Sequence, residues 1–400
     1  MKRFERKITN TVLIIFLLLT HSLSASCQTS DTGMNMDSVE ISLLTCGPRP
    51  NVYSLYGHTA LRYHDKASGT DLAVNYGMFS FGKPFFIIRF VFGLTDYEMG
   101  IEYFNDFISH YSASGCGIRQ QKLNLTNKEK AAIAAAINEN YMPQNRVYRY
   151  NYFYDNCTTR ARDMIVSHLD GHVDYSNKQN DGKMTFRKMI HQYNGTHLWA
   201  RFGNDLLLGV KADIPTTYAE QQFLPENLSR DFNAASVNRG GRASARLVGE
   251  DTWILPRTSD VGSDSFPVTP LACMGIFAIA VVAMTIIEQR RNANYWGADV
   301  AIILADALCG LILLAMVFSQ HPTVSLNLQI LLLNPMMAVA IVPTIRALRK
   351  RKASKWIKAW IVCIILFLIG GTLQTYAEGM YFVALSLLIR YIFKIHQFKK

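Results

Sequence analysis

Three residues in this chain have types and settings that could carry covalent chemistry. Cys157 follows Asp155-Asn156 and precedes Thr158-Thr159-Arg160, a stretch with the pattern of a helix start. A thiol at a helix N-terminus has its thiolate stabilised by the helix dipole and free N–H groups, and the same groups can hold an oxyanion. Such a thiol needs a base, and ten histidines compete for the role. His58, in Tyr56-Gly57-His58-Thr59, follows a turn and opens an expected strand that would hold its ring rigidly. The adjacent Gly57 permits close backbone approach. Asn75 lies on the next expected strand, and antiparallel neighbours bring such side chains together, so it is the candidate to orient the imidazole. Each residue also has a plainer reading. Cys157 could be a small buried hydrophobe, His58 a turn residue and Asn75 a strand-end residue.

Of the remaining histidines, His110, His168, His172, His191 and His197 show no paired spacing. Neither HExxH nor CxxC occurs, so no metal and no cofactor is expected. Cys27, Cys46, Cys116 and Cys157 lie before the apolar C-terminal third; Cys273, Cys309 and Cys363 lie within it. In an oxidising compartment a Cys46–Cys116 pair would leave Cys157 as the free thiol.

The elements that must position these groups read as an α+β domain, with strands followed by helices and no βαβ alternation. Ser38–Leu44 alternates as a strand and ends at the turn Thr45-Cys46-Gly47-Pro48. Thr59–Tyr63 and Ala73–Tyr76 are further short strands around the polar loop Asp65–Asp71. Residues 79–93 are dense in phenylalanine, Tyr103–Tyr111 has helical spacing, and Thr126 with Glu129 forms a capping box for a helix over 127–140. Tyr148–Phe153 reads as extended, 185–235 as mostly helical, and Gly240–Leu255 as a return to strands.

Both ends of the chain speak of a membrane. Lys2, Arg3, Arg6 and Lys7 precede the apolar run Val12–Leu19 and then Ser24, Ala25 and Ser26, the pattern of a signal peptide over 1–27. A lipoprotein box ending at Cys27 is the lesser reading, because Ser24 stands where leucine is usual. A domain over 28–255 and a polar linker over 256–267 follow. Residues 268–400 hold apolar stretches near 268–287, 300–318, 326–345, 357–376 and 380–395. Four have the length of about 20 residues that a spanning helix needs; the last is short and carries Arg390.

The net charge of +11 would suggest nucleic acid if it were spread evenly, but it is not. Residues 28–267 hold nearly equal numbers of basic and acidic side chains, and the excess sits at the two ends. Arg346, Arg349, Lys350, Arg351, Lys352, Lys355 and Lys358 crowd one loop, whereas Ser319–Asn327 and Thr375–Gly379 hold no Lys or Arg. By the positive-inside rule, five spans put residues 28–267 on the exported side and the C-terminus in the cytoplasm. Within the spans Asp306 is the noteworthy carboxylate, Asp299 and Glu378 reading as interfacial. Asn334-Pro335 would break a hydrogen bond and kink the third span.

Several blocks in order resemble one family: Leu44-Thr45-Cys46-Gly47-Pro48, Tyr53-Ser54-Leu55-Tyr56-Gly57-His58-Thr59, Asn75-Tyr76-Gly77-Met78-Phe79, Phe92-Gly93-Leu94-Thr95-Asp96-Tyr97 and Tyr150-Asn151-Tyr152-Phe153-Tyr154-Asp155-Asn156-Cys157-Thr158-Thr159-Arg160. They are similar to the N-terminal periplasmic domain of the Lnb-type lipoprotein N-acyltransferases of Bacteroidota, and the multi-span tail resembles that family's membrane domain. The resemblance implies an inner-membrane enzyme with its N-terminal domain in the periplasm. Its acyl donor would be a phospholipid, its acceptor the N-terminal amine of a diacylglyceryl-cysteine lipoprotein, and its intermediate a Cys157 thioester. The order of His before Cys also resembles the permuted papain-like NlpC/P60 fold. On that scheme Cys157, His58 and Asn75 are catalytic, and Tyr56, Asn156 and Arg160 are candidate substrate contacts. Arg160 and Arg162 could equally form surface salt bridges, and the aromatic run 79–92 could be a membrane-facing flap, an acyl groove or plain core. Rival functions are a cell-wall peptidase or amidase on the same scaffold, a phospholipase, and a non-enzymatic membrane-anchored scaffold.

Overall fold

A computed structural model of the chain describes residues 36–79, 82, 84–175, 183–240, 243–258, 262–263 and 266–398. The expected signal peptide and Cys27 lie outside them. In chain order the N-terminal domain comprises β1 (Val39–Cys46), β2 (His58–Asp65), β3 (Thr70–Met78), α1 (Phe86–Val91), β4 (Asp96–Tyr103), α2 (Phe104–Ala113), β5 (Ile118–Leu123), α3 (Asn127–Tyr141), β6 (Val147–Arg149) and α4 (Cys157–Val166). It continues through β7 (His172–Tyr175), α5 (Phe186–His191), α6 (Leu198–Leu207), α7 (Tyr218–Gln221), α8 (Pro225–Ala234), β8 (Ala235–Asn238), β9 (Ala245–Arg246) and β10 (Val248–Leu255).

Seven strands pair antiparallel in the order β10-β5-β1-β2-β3-β4-β6, and β7, β8 and β9 form a second small sheet. Leu44, Ala60 and Ala73 on one face of the large sheet pack against Phe104, Phe107 and Tyr111 of α2, and Leu43, Leu61 and Val74 beside them are buried as well. The mixed α/β class agrees with the sequence expectation. Strands β4 and β5 were not expected, and their composition explains why. β5 reads Ile118-Arg-Gln-Gln-Lys-Leu123, yet Gln120 and Gln121 are buried: Gln120 bonds Ser42 and Arg62, and the Gln121 amide nitrogen donates to the Ser229 carbonyl and Asp251. A buried polar side chain is tolerated when it is hydrogen-bonded, and no sequence pattern displays that.

Cys46 and Cys116 are free thiols, so the expected pairing is corrected. Cys116 donates to the Pro48 carbonyl at 3.1 Å, and Cys46 sits opposite His58 in the β1–β2 register.

The C-terminal domain holds α9 (Pro270–Arg290), α10 (Trp296–Val317), α11 (Met336–Arg349), α12 (Lys355–Gly370) and α13 (Met380–Gln397). Among the described residues, α9, α10 and the stretch Leu328–Arg349 are long and apolar enough to cross a membrane. The fourth expected span is shorter than the sequence reading. Its helix stops at Gly370, about 24 Å long at 1.5 Å per residue, because Gln374 and Thr375 turn away to bond the Leu208 carbonyl and the Asp213 carboxylate. Asn334-Pro335 does interrupt the third stretch: a short 3₁₀ turn over Leu328–Leu331 precedes it and α11 begins at Met336.

Asp299 lies in the first turn of α10. It is wholly buried and ion-paired with Arg390 and Lys394, and Glu288 bonds the same two cations. Two acids and two bases cancel, which is how α13 carries Arg390 inside an apolar bundle.

Backbone and side-chain bonds dock the two domains. Gly209 and Val210 donate N–H groups to the Thr323 and Leu326 carbonyls, both at 2.8 Å. Asn327 and Gln329 reach back to the carbonyls at the end of α6. Met316 and Val324 share one apolar cluster with Leu55, Tyr56, Phe153 and Phe186.

Candidate active site

β2 and β3 place the imidazole. Ala60 faces Asn75 in their register, so His58, two residues earlier, lies diagonally across from Asn75 on the same face. Gly57 sets the entry to β2: its φ is +78°, and a Cβ there would fall 2.7 Å from the Cys46 carbonyl oxygen. No other residue type fits that backbone without displacement. Asn75 Oδ1 lies 3.0 Å from His58 Nε2, and Asn75 Nδ2 donates to Glu102 Oε1 at 2.6 Å. A carboxylate only accepts, so Glu102 turns the amide nitrogen toward itself and the amide oxygen toward the ring. His58 Nε2 therefore carries a hydrogen, and Nδ1 is left for the thiol. Glu102 also pairs with His110 at 3.5 Å.

Cys157 is the first residue of α4, and Asn156 is its cap. Asn156 Oδ1 accepts the N–H groups of Thr158 and Thr159, each at 2.9 Å, while its Nδ2 donates to the Tyr152 and Phe223 carbonyls. Thr59 and Thr158 hydroxyls bond at 3.0 Å and tie α4 to β2. That bond joins the residues that follow His58 and Cys157, and so brings the ring and the sulfur into one site. Burial by itself pushes the Cys157 thiol up, but the charge and hydrogen bond of His58, with the Thr59 N–H and the Thr158 hydroxyl, outweigh it. The thiol sits below the ordinary thiol range. Burial likewise works against charge on His58, and the Cys157 sulfur and then Asn75 overcome it, raising the imidazole above its usual value. Both shifts favour a thiolate beside an imidazolium, the activated form of a cysteine nucleophile.

Each of the three expected substrate contacts also bonds within the protein. All hydrogen-bonding positions of Asn156 serve the cap. Arg160 forks onto Asp155 at 2.6 and 2.9 Å and stacks over the Tyr148 ring. Buried Tyr56 receives hydrogen bonds from Asn204 at 2.7 Å and Asn194 at 3.4 Å. Of the helix N-terminal donors, the Thr158 and Thr159 N–H groups are taken by the cap, which leaves the Cys157 N–H at the first helical position to meet an oxyanion.

Sequence reasoning missed Glu102, because an acid in an alternating strand reads as a solvated face. It also missed the tyrosines around the sulfur. Tyr97, Tyr148, Tyr150 and Tyr152 lie close enough for a Cys157 thiolate to raise their hydroxyl pKa values, burial being the larger cause; Tyr97 reaches about 12. Among the described residues, no cluster of metal-ligating side chains occurs.

Comparison with known proteins gives two family matches. Residues 26–192 match the model described as the Lnb N-terminal periplasmic domain, and residues 262–400 match that described as the Lnb transmembrane domain. No curated protein and no solved structure matches. The first match holds His58, Asn75, Glu102 and Cys157, the second holds all five C-terminal helices, and together they span more than half of the sequence: the chain belongs to the Lnb family, an N-terminal periplasmic domain joined to a transmembrane domain.

Proposed function

We propose that this protein is a lipoprotein N-acyltransferase of the inner membrane. The observation that carries the proposal is the Cys157 thiol, paired with a His58 ring held by Asn75, in a domain bonded directly to the membrane-spanning helices. The N-terminal domain adopts a permuted papain-like arrangement with its active site in the periplasm. All five C-terminal helices cross the bilayer and the C-terminus is cytoplasmic, in keeping with the basic loop 346–358.

The reaction runs in two halves and needs no cofactor. His58 Nδ1 holds the proton from Cys157, and the thiolate attacks an ester carbonyl of a phospholipid. The Cys157 N–H meets the oxyanion. The ester C–O bond breaks, the departing alkoxide of the lysophospholipid takes the His58 proton, and a thioester forms at Cys157. The α-amine of a diacylglyceryl-cysteine then attacks the thioester. His58 takes one amine proton and returns it to the departing sulfur, leaving an amide on the lipoprotein and a free thiol on the enzyme. Splitting the transfer in two gives the amine a thioester to attack, which is more reactive than an oxygen ester. Tethering to the bilayer raises the effective concentration of both lipid substrates. Tyr56, Asn156 and Arg160 hold the shape of the site in this scheme and do not touch substrate.

The test is direct. Purified full-length protein in vesicles of phosphatidylethanolamine and phosphatidylglycerol is given a synthetic diacylglyceryl-cysteine peptide. The peptide should gain one fatty acyl mass on its amine. Release of free fatty acid with no change in the peptide would favour a phospholipase instead.

A further inference from the structure

We infer that the acyl chain of the donor lipid reaches Cys157 along a row of aromatic rings that starts at α1, so that α1 is the lipid-facing entrance of the site. The inference rests on the acyltransferase reading and specifies where its donor chain lies.

The row is continuous. Its inner end lies beside Cys157, since a Cβ on Gly77 would fall 3.7 Å from the Cys157 Cβ and 3.8 Å from the Tyr97 ring, and Tyr97 stacks on Tyr150 with centroids 4.1 Å apart. Tyr97 stacks on Phe79 at 4.7 Å, Phe79 on Phe86 at 6.0 Å, and Phe86 on Phe90 at 6.4 Å. Phe90 then meets the ring of His321, 6.1 Å away in the loop after α10. The rings from Tyr150 to Phe90 are near-parallel, with 15–21° between successive planes, and the His321 ring meets the last of them at 57°.

The far end of the row is built onto the membrane domain. Gln320 donates its N–H to the Phe92 carbonyl at 3.0 Å, and Arg149 bonds the Gln320 side chain at 2.9 Å. Gly93 makes this junction possible: its φ is +67°, and a Cβ there would fall 3.0 Å from the Gln320 nitrogen. α1 is thereby fixed at the end of a spanning helix, at the level of a bilayer surface. Phe85 and Ile88, 74% and 56% exposed, lie one turn apart on one side of it, and Phe90, 44% exposed, lies on the other side with Phe86 in the row. Phe85 holds a left-handed backbone at φ 55°, a conformation that is uncommon for a bulky residue. Exposed apolar residues on both sides of one short helix mark a lipid or partner surface. The row's continuity with both the sulfur and the spanning helices favours the donor's acyl chain, whose carbonyl carbon bonds the sulfur itself, over the acceptor, which meets the thioester through a polar amine.

The test compares two donors for charging Cys157, read as hydroxylamine-labile mass on its peptide. One donor is long-chain phosphatidylethanolamine in vesicles, the other a water-soluble acetyl ester too short to use the row. Ile88→Asp and Phe90→Asp should lower the phospholipid-to-acetyl ratio about tenfold, the equivalent of lost contact with roughly two methylenes. Met142→Asp, at an exposed apolar site outside the row, should leave the ratio unchanged. If an Asp variant loses both donors, Phe90→Leu and Phe90→Ala decide: a ratio kept by Leu and lowered by Ala supports the row, and equal ratios overturn it. Wild-type charging from phospholipid that all variants match also overturns it. Wild-type protein that neither donor charges overturns the acyltransferase reading itself.

Discussion

The Asn75 side chain donates to Glu102 over 2.6 Å, and that single bond decides which nitrogen of His58 is basic. With the amide nitrogen committed to Glu102, the amide oxygen accepts from Nε2, and Nδ1 is left for the sulfur. Glu102 is thus a positioning residue that never touches substrate. Glu102→Gln lets the amide turn over, because glutamine both donates and accepts. Thioester formation should slow by about tenfold to hundredfold, the worth of one hydrogen bond to a charged group. The pH profile should change shape as well, which a loss of fold alone would not cause. An unchanged rate and profile would remove Glu102 from the account.

The thiol should betray its partner through pH. A thiol lowered below the ordinary range is ionised at pH values where a free cysteine is not, so alkylation of Cys157 by iodoacetamide should rise through an inflection below that of a model thiol. As pH falls through the lowered value, reactivity is lost. In His58→Ala the two largest lowering influences are gone and burial is opposed only by the Thr59 N–H and the Thr158 hydroxyl, so the inflection should move up. Coincident curves for wild type and variant would break the pairing of sulfur and ring.

Asn156 should behave as a cap. Asn156→Ala strips the acceptor from two N–H groups and leaves two carbonyls without their donor. Loss of a cap alone costs about 0.5–2 kcal/mol, and the buried orphans add to it. A thermal melt should fall by several degrees while the KM for phospholipid stays put. A raised KM with an unchanged melt would restore Asn156 as a substrate contact.

The charges inside the bundle make a separate prediction. Arg390→Met leaves Asp299 and Glu288 with one cation between them and should destabilise the membrane domain by about 3–5 kcal/mol. Adding Asp299→Leu should recover part of that loss, since a neutral set is restored. Proteolysis of the detergent-solubilised protein would show both changes; additive losses would deny the coupling.

How much of this was legible in the residues themselves varies by the kind of interaction. His58, Asn75 and Cys157 could be read because turns, strand alternation and a helix start are local signals, and the antiparallel register follows from them. The capping box at Thr126 and Glu129 was readable for the same reason. Glu102 was not, since its role comes from a strand pairing, β3 with β4, that polar residues disguise. The burial of Asp299 was hidden too: its partners Arg390 and Lys394 are about ninety residues away along the chain. The working state of Asn156 and Arg160 was equally hidden, because a residue next to a nucleophile looks the same whether it holds substrate or holds the loop.

The central claim is that one sulfur carries the fatty chain between two lipids. Full-length protein incubated with phospholipid vesicles and no acceptor, then digested and weighed, tests it most directly. The Cys157 peptide should carry a long-chain acyl mass that hydroxylamine removes and that Cys157→Ser lacks under the same treatment. An unmodified Cys157 peptide from protein that still acylates a diacylglyceryl-cysteine peptide would contradict it.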